Sequence, residues 1–201
     1  INFVLVASEA FGLANQNMTP QQSAEALQHI VPVAAEANIP VSATIAVAFG
    51  DPFSGEVSAH QVGNLAALAQ RAGVVELAVA DTIGVADPWH VEAVIDVVRM
   101  NAPDVYLRAH FHNTRNTGLA NVAAAVRAGV DVIDASCGGV GGCPFAPKAT
   151  GNVATEDVVY MLERAGFETG IDLKAMIETA QWLQMTLGHK VPSALLAVSG
   201  A

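Results

Sequence analysis

The sequence predicts an α/β fold, a (β/α)8 barrel of which the chain carries about the last five βα units followed by C-terminal helices. Three observations lead there. Short apolar, β-branched runs alternate with amphipathic helical stretches, and the unit recurs along the whole chain. Several helical stretches end in Ala-Gly or Ala-Asn just before the next apolar run, as suits a helix C-terminus. Polar residues gather at the C-terminal ends of the apolar runs, where α/β folds place their ligands.

The predicted strands are Ile1–Val6, Val41–Phe49, Val74–Val79, Val105–Ala109 and Val130–Ile133. The predicted helices are Ser23–Asn38, Ser58–Gly73, Asp87–Asn101, Thr117–Gly129 and Thr155–Gly166, with Asp172–Leu187 beyond them. Serial βα units imply parallel strands joined by right-handed crossovers. Two architectures satisfy this pattern: a doubly wound five-stranded sheet, or an eight-stranded barrel lacking its first three units. The start inside an apolar run favours the barrel. The expected organisation is one domain over 1–201, with βα units to 166 and a helical extension over 167–201.

Composition narrows the function. The chain is 52% hydrophobic and 14% charged, too apolar for disorder, and no run reaches the roughly 20 apolar residues of a membrane span. A net charge of −10 and the absence of a basic patch argue against nucleic acid as a partner. Two cysteines, Cys137 and Cys143, are no disulfide scaffold and fit a reducing compartment. A bridge between them is disfavoured because Cys137 is expected within a strand. Trp89 and Trp182 are read as packing residues, and His29, His60, His90 and His189 as surface or structural ones.

The strand ends carry the candidate chemistry: Ser8-Glu9, Asp81-Thr82, the run His110-Phe111-His112-Asn113, and Ser136-Cys137. His110 and His112 stand at i and i+2, so on a strand they share a face and two imidazoles meet at one point. That pair is either a metal site or two hydrogen-bonded histidines at a barrel rim. Asn152 is either a hard, neutral oxygen ligand suited to Mg2+ or Mn2+ or a turn residue before a helix capped by Thr155. Gly138–Asn152 is glycine-rich, the composition of a lid, and holds Gly141, Gly142 and Cys143; an exposed cysteine there is placed for proton transfer. Glu156 lies in a helix's first turn, where a carboxylate also serves the helix dipole.

These residues resemble the 3-hydroxy-3-methylglutaryl-CoA lyase family of the DRE-TIM metallolyase superfamily. The resemblance covers nearly the whole chain. It runs through A-S-E-A-F at Ala7–Phe11 with Asn15 and Asn17, D-T-I-G-V at Asp81–Val85, and the H-x-H. It is strongest in G-G-C-P-F-A at Gly141–Ala146 and T-G-N-V-A-T-E-D-V-V-Y-M-L at Thr150–Leu162. The resemblance implies a retro-Claisen cleavage of an acyl-CoA substrate to acetyl-CoA and acetoacetate. It implies Mg2+ or Mn2+ held by His110, His112 and Asn152, with His110 also moving a proton. Cys143 would be the catalytic acid, and Asp81 with Thr82 and Glu156 would support the site. A homodimer is also implied, in a bacterial-like cytoplasm or a mitochondrial matrix. The family's Arg-Asp pair has no counterpart here.

The sequence departs from the family pattern at Asn113–Thr117, where Arg115 brings a cation near the second histidine, suited to a carboxylate or a CoA phosphate. Pro147-Lys148 and Cys137 also depart. These changes open citramalyl-CoA or a longer-branched 3-hydroxyglutaryl-CoA as substrate. A condensing synthase or aldolase of the same superfamily shares H-x-H without the cysteine loop, and a non-catalytic fragment is the alternative of another class.

Overall fold

The computed structural model describes residues 1–142 and 151–198. The chain forms β1 (Asn2–Val6), α1 (Glu9–Gln16), α2 (Pro20–Glu36), β2 (Ser42–Ala46), α3 (Ala59–Ala72), β3 (Glu76–Asp81) and α4 (Pro88–Asn101). It continues with β4 (Tyr106–Phe111), α5 (Gly118–Arg127), β5 (Val132–Asp134), α6 (Thr155–Arg164), α7 (Leu173–Leu187) and α8 (Ala194–Val198). Among the described residues no helix is long and apolar enough to cross a membrane.

The five strands are hydrogen-bonded in the order β1-β2-β3-β4-β5, each parallel to the next. A doubly wound sheet reverses strand order at a switch point. Here the order never reverses, so the sheet is an arc of consecutive units of a (β/α)8 barrel, as the sequence led us to expect. The helices cover one face. Leu5, Ile45, Leu77, Leu107 and Phe111 point outward and pack against Leu27, Leu65, Ile95 and Val122, all fully buried or nearly so. The opposite, inner face carries Thr44, Glu76, Arg108, His110 and Asp134, residues that alternate with the apolar set.

The strands begin one or two residues later than expected. β3 and β4 continue two residues past their expected ends, through Asp81 and Phe111, because the pairing of the two strands runs on to Asp81 and Phe111. β2 stops at Ala46, because Val47 adopts a φ of 50° and leaves the extended region. Helix α2 starts at Pro20, ahead of the expected Ser23. Its Thr19 and Gln22 form a reciprocal capping box with Pro20 at the first turn. Helix α1, capped by Ser8 through Phe11 N–H, was not anticipated. Thr155 does not cap α6. It lies inside the first turn, and its N–H bonds Ser136 O at 2.9 Å, so α6 starts docked on the chain beyond β5. Cys137 stands outside the strand, in a 3-10 turn over Cys137–Gly139. Trp89 and Trp182 are 77% and 59% exposed, correcting the expectation that both pack inside. Trp89 lies on the exposed side of α4, and Trp182 on α7, a helix whose only buried residue is Ala180.

Two close approaches fix the loops above the sheet. Asp81 Oδ1 and Oδ2 accept from Val85 N–H (2.9 Å) and Ala86 N–H (3.0 Å), building the turn between β3 and α4. At Gly118, a Cβ would meet Val153 Cγ1 at 2.5 Å and Asn113 Oδ1 at 3.0 Å. Asp81→Ala strands two N–H groups and should destabilise the protein by about 2–4 kcal/mol, read from the urea unfolding midpoint. Gly118→Ala gains helix propensity yet wedges Val153 away from β4. A net loss of about 1–3 kcal/mol is expected in the same measurement.

Candidate metal centre at the C-terminal end of the barrel arc

His110 ends the inner row of β4, between Ala80 of β3 and Asp134 of β5. The alanine leaves room on one side and the aspartate supplies a partner on the other. His112 lies just past the strand. The two rings stand edge to face with centroids 5.2 Å apart, as the i, i+2 spacing predicts. Asn152 reaches them across forty residues of sequence. Its segment runs antiparallel to the end of β4: Val153 N–H donates to Phe111 O (3.2 Å), Asn113 N–H donates to Gly151 O (2.9 Å), and His112 and Asn152 face each other in the bridge.

The amide of Asn152 is oriented. Its Nδ2 donates to Val140 O at 2.8 Å, which leaves Oδ1 as the atom without a partner. Gly139 and Gly141 make that placement possible. Both have positive φ, and a Cβ on Gly141 would lie 2.7 Å from Asn152 Nδ2. Gly142 follows directly, and Cys143, with the rest of 143–150, lies outside the described residues.

Asn152 Oδ1 and His112 Nδ1 are buried without a hydrogen-bond partner. Buried polar atoms are seldom left so, and a bound ion is one of the few ordinary explanations. The His112 imidazole is pushed down to about 4, first by burial and then by the neighbouring His110, so it is neutral at physiological pH and has a lone pair to give. Two imidazoles and one amide oxygen fit a hard or borderline divalent cation. Among the described residues no three His, Cys, Asp or Glu side chains converge. Among the described residues the candidate ligands are these three.

Asp134, which the sequence reading passed over, bonds His110 Nδ1 at 3.0 Å. Its carboxyl is held below the usual range by that hydrogen bond and by the charges of His110 and Arg108, against burial. The signal that could have found it is its place in the inner row of the ladder, beside His110.

The other expected site residues are spread around this centre. Asp81 shares the outward row with Phe111, not the inner row with His110. Burial pushes its carboxyl up, against the pull of the Val85 and Ala86 N–H groups and the Arg115 charge. Thr82 Oγ1 accepts from Val47 N–H at 2.9 Å, holding the one β-branched residue in left-handed backbone among the described residues. Glu156 is fully buried and accepts Gly138 N–H at 3.0 Å, tying the start of α6 to the root of the glycine-rich loop. Burial and the Glu156 charge together push the Cys137 thiol up. Arg115 Nη1 donates to Ile83 O (2.8 Å) and Gly84 O (3.0 Å), joining the loops after β3 and β4.

Comparison with known proteins gives the chain a family. The HMGL-like family model matches residues 1–183. A hydroxymethylglutaryl-CoA lyase of Bacillus subtilis is 38% identical over 192 residues, 96% of this chain and 64% of the relative. An (R)-citramalyl-CoA lyase of Chloroflexus aurantiacus is 40% identical over 193 residues, 96% of this chain and 61% of the relative. The solved structure of an HMG-CoA lyase from Acinetobacter baumannii, in complex with coenzyme A and 3-methylmalate, superposes with a TM-score of 0.92 at 40% identity, covering 98% of this chain and 65% of that one. The chain thus spans under two thirds of the length of the curated relatives it matches. With its barrel arc, its H-x-H and its match over residues 1–183, the chain belongs to the HMGL-like family.

Proposed function

We propose that the protein is a divalent-metal-dependent carbon–carbon lyase that cleaves 3-hydroxy-3-methylglutaryl-CoA to acetyl-CoA and acetoacetate. The observation that carries this reading is the convergence of His110, His112 and the unpartnered Asn152 Oδ1 at the C-terminal end of the strands. Its chemical setting is supplied by relatives that are named acyl-CoA lyases.

His110, His112 and Asn152 would hold Mg2+ or Mn2+, which would supply Lewis-acid chemistry at the substrate hydroxyl. His110 presents to the site the ring nitrogen that Asp134 does not hold. His110 is also assigned a part in moving the hydroxyl proton. When the proton leaves, the oxygen's electron pair forms the new ketone of acetoacetate. The C2–C3 bond breaks and its electrons pass to the thioester enolate. Cys143 is assigned to give that enolate its proton, completing acetyl-CoA. Glu156 anchors the loop that carries Cys143 through Gly138.

A second substrate, citramalyl-CoA, is favoured by one observation: the Chloroflexus relative named for it is as similar to this chain as the hydroxymethylglutaryl-CoA lyase of Bacillus is. Both thioesters carry the 3-hydroxyl and the adjacent carbon–carbon bond that the reaction needs.

The test is an assay of the full-length native protein with each thioester. Dialysis against EDTA should abolish acetyl-CoA release from either thioester, and Mg2+ or Mn2+ should restore it; turnover indifferent to chelation overturns the metal reading. Cys143→Ala should lower kcat by about 10²–10⁴-fold with KM little changed. Undiminished activity in that variant moves the reading to a condensing synthase or aldolase. A larger kcat/KM for citramalyl-CoA assigns the second substrate.

A further inference from the structure

The inner face of the sheet carries a chain of charged groups that runs across three strands and ends on His110. Arg108 stands two residues before His110 on the same face of β4. Its Nη2 lies 2.7 Å from Glu76 Oε1 on β3, and its Nη1 lies 3.5 Å from Asp134 Oδ2 on β5. The other oxygen of Asp134, Oδ1, lies 3.0 Å from His110 Nδ1. His110 and Asp134 are direct partners in the parallel register, so the backbone ladder sets the distance between carboxylate and ring. An ionised carboxylate only accepts hydrogen bonds, so Nδ1 must be the protonated nitrogen and Nε2 the one with the free pair.

We propose that Asp134 is the positioning residue for His110, and that the Glu76–Arg108 pair fixes Asp134 in turn. The inference rests on the reading of His110 as a metal ligand. A carboxylate on the far nitrogen of a ligating imidazole sets its tautomer and rotation and raises its basicity. Arg108 gives the carboxylate a second, geometrically demanding partner, so Asp134 cannot rotate away from the ring without breaking an ion pair. Glu76 occupies the other side of the guanidinium and keeps it on the inner face rather than in solvent. None of the three reaches the reacting atoms; each acts through the next.

The experiment reads the ring directly and without metal. Histidine labelled with 15N, with His110 assigned by its loss in His110→Gln, reports the tautomer by long-range 1H–15N correlation in the metal-free protein. The wild-type ring is expected to be protonated on Nδ1. In Asp134→Asn, whose amide can donate to Nδ1, the population moves to the Nε2–H form, and Mn2+ affinity by EPR titration falls about 10–100-fold. Asp134→Glu keeps a carboxylate and recovers part of both. It serves also as the readout if the asparagine variant does not fold. Arg108→Gln weakens Mn2+ binding by a smaller factor. A tautomer and an Mn2+ affinity unchanged in Asp134→Asn overturn the proposal. A wild-type ring whose tautomer depends on Asp134, in a protein that takes up no Mn2+, removes the metal reading and leaves the positioning of His110 by Asp134 standing.

Discussion

The candidate centre depends on a short antiparallel bridge between the end of β4 and Gly151–Val153. Two backbone hydrogen bonds, Val153 N–H to Phe111 O and Asn113 N–H to Gly151 O, bring the returning arm of the glycine-rich loop beside the histidines. The same arm is held on its other side by Asn152 N–H to Gly139 O and Gly151 N–H to Gly141 O, both 3.0 Å. Asn152 is thus a middle residue of a small three-arm ladder, and its side chain has little freedom of approach. Residues with a Cβ at 139 or 141 would crowd Asn152 itself, which is why this segment is written in glycine.

The parallel sheet divides labour between its faces. Most outward positions are apolar and give the helices something to cover, so they hold the arc together. Inward positions mix small or apolar residues with polar ones, and the polar groups satisfy one another in networks: Asn2 with Thr44, then Glu76, Arg108, Asp134 and His110. A barrel can place charge on its inner face because each charged group finds a partner on a neighbouring strand at ladder distance. The cation of Arg108 is then a scaffold for the ring above it.

Several polar residues at the strand ends serve the loops around the site. Asp81 builds the β3–α4 turn, Arg115 joins that turn to the loop after β4, and Thr82 holds Val47 in a conformation that costs a β-branched residue on the order of 1–3 kcal/mol. Such strain persists only where the surroundings over-determine it, and here it bends the chain out of β2 at the end where the site lies. Of the strand-end residues, the ladder places Asp81 in the outward row and His110 in the inner row.

The alternation of β-branched runs with helical stretches determined the class of fold, because period-2 and period-3.6 burial leave different marks on a chain. The same local logic determined the His110–His112 pairing, since i and i+2 share a face whatever the rest of the protein does. Capping signals at Ser8 and Thr19, which mark α1 and the start of α2, were also written locally. Tertiary structure alone decided the rest. Strand order separated a barrel arc from a doubly wound sheet, because local periodicity is the same in both. The partnership of Asp134 with His110 and the arrival of Asn152 beside His112 join residues 24 and 40 positions apart, through register and a loop bridge that no local pattern encodes.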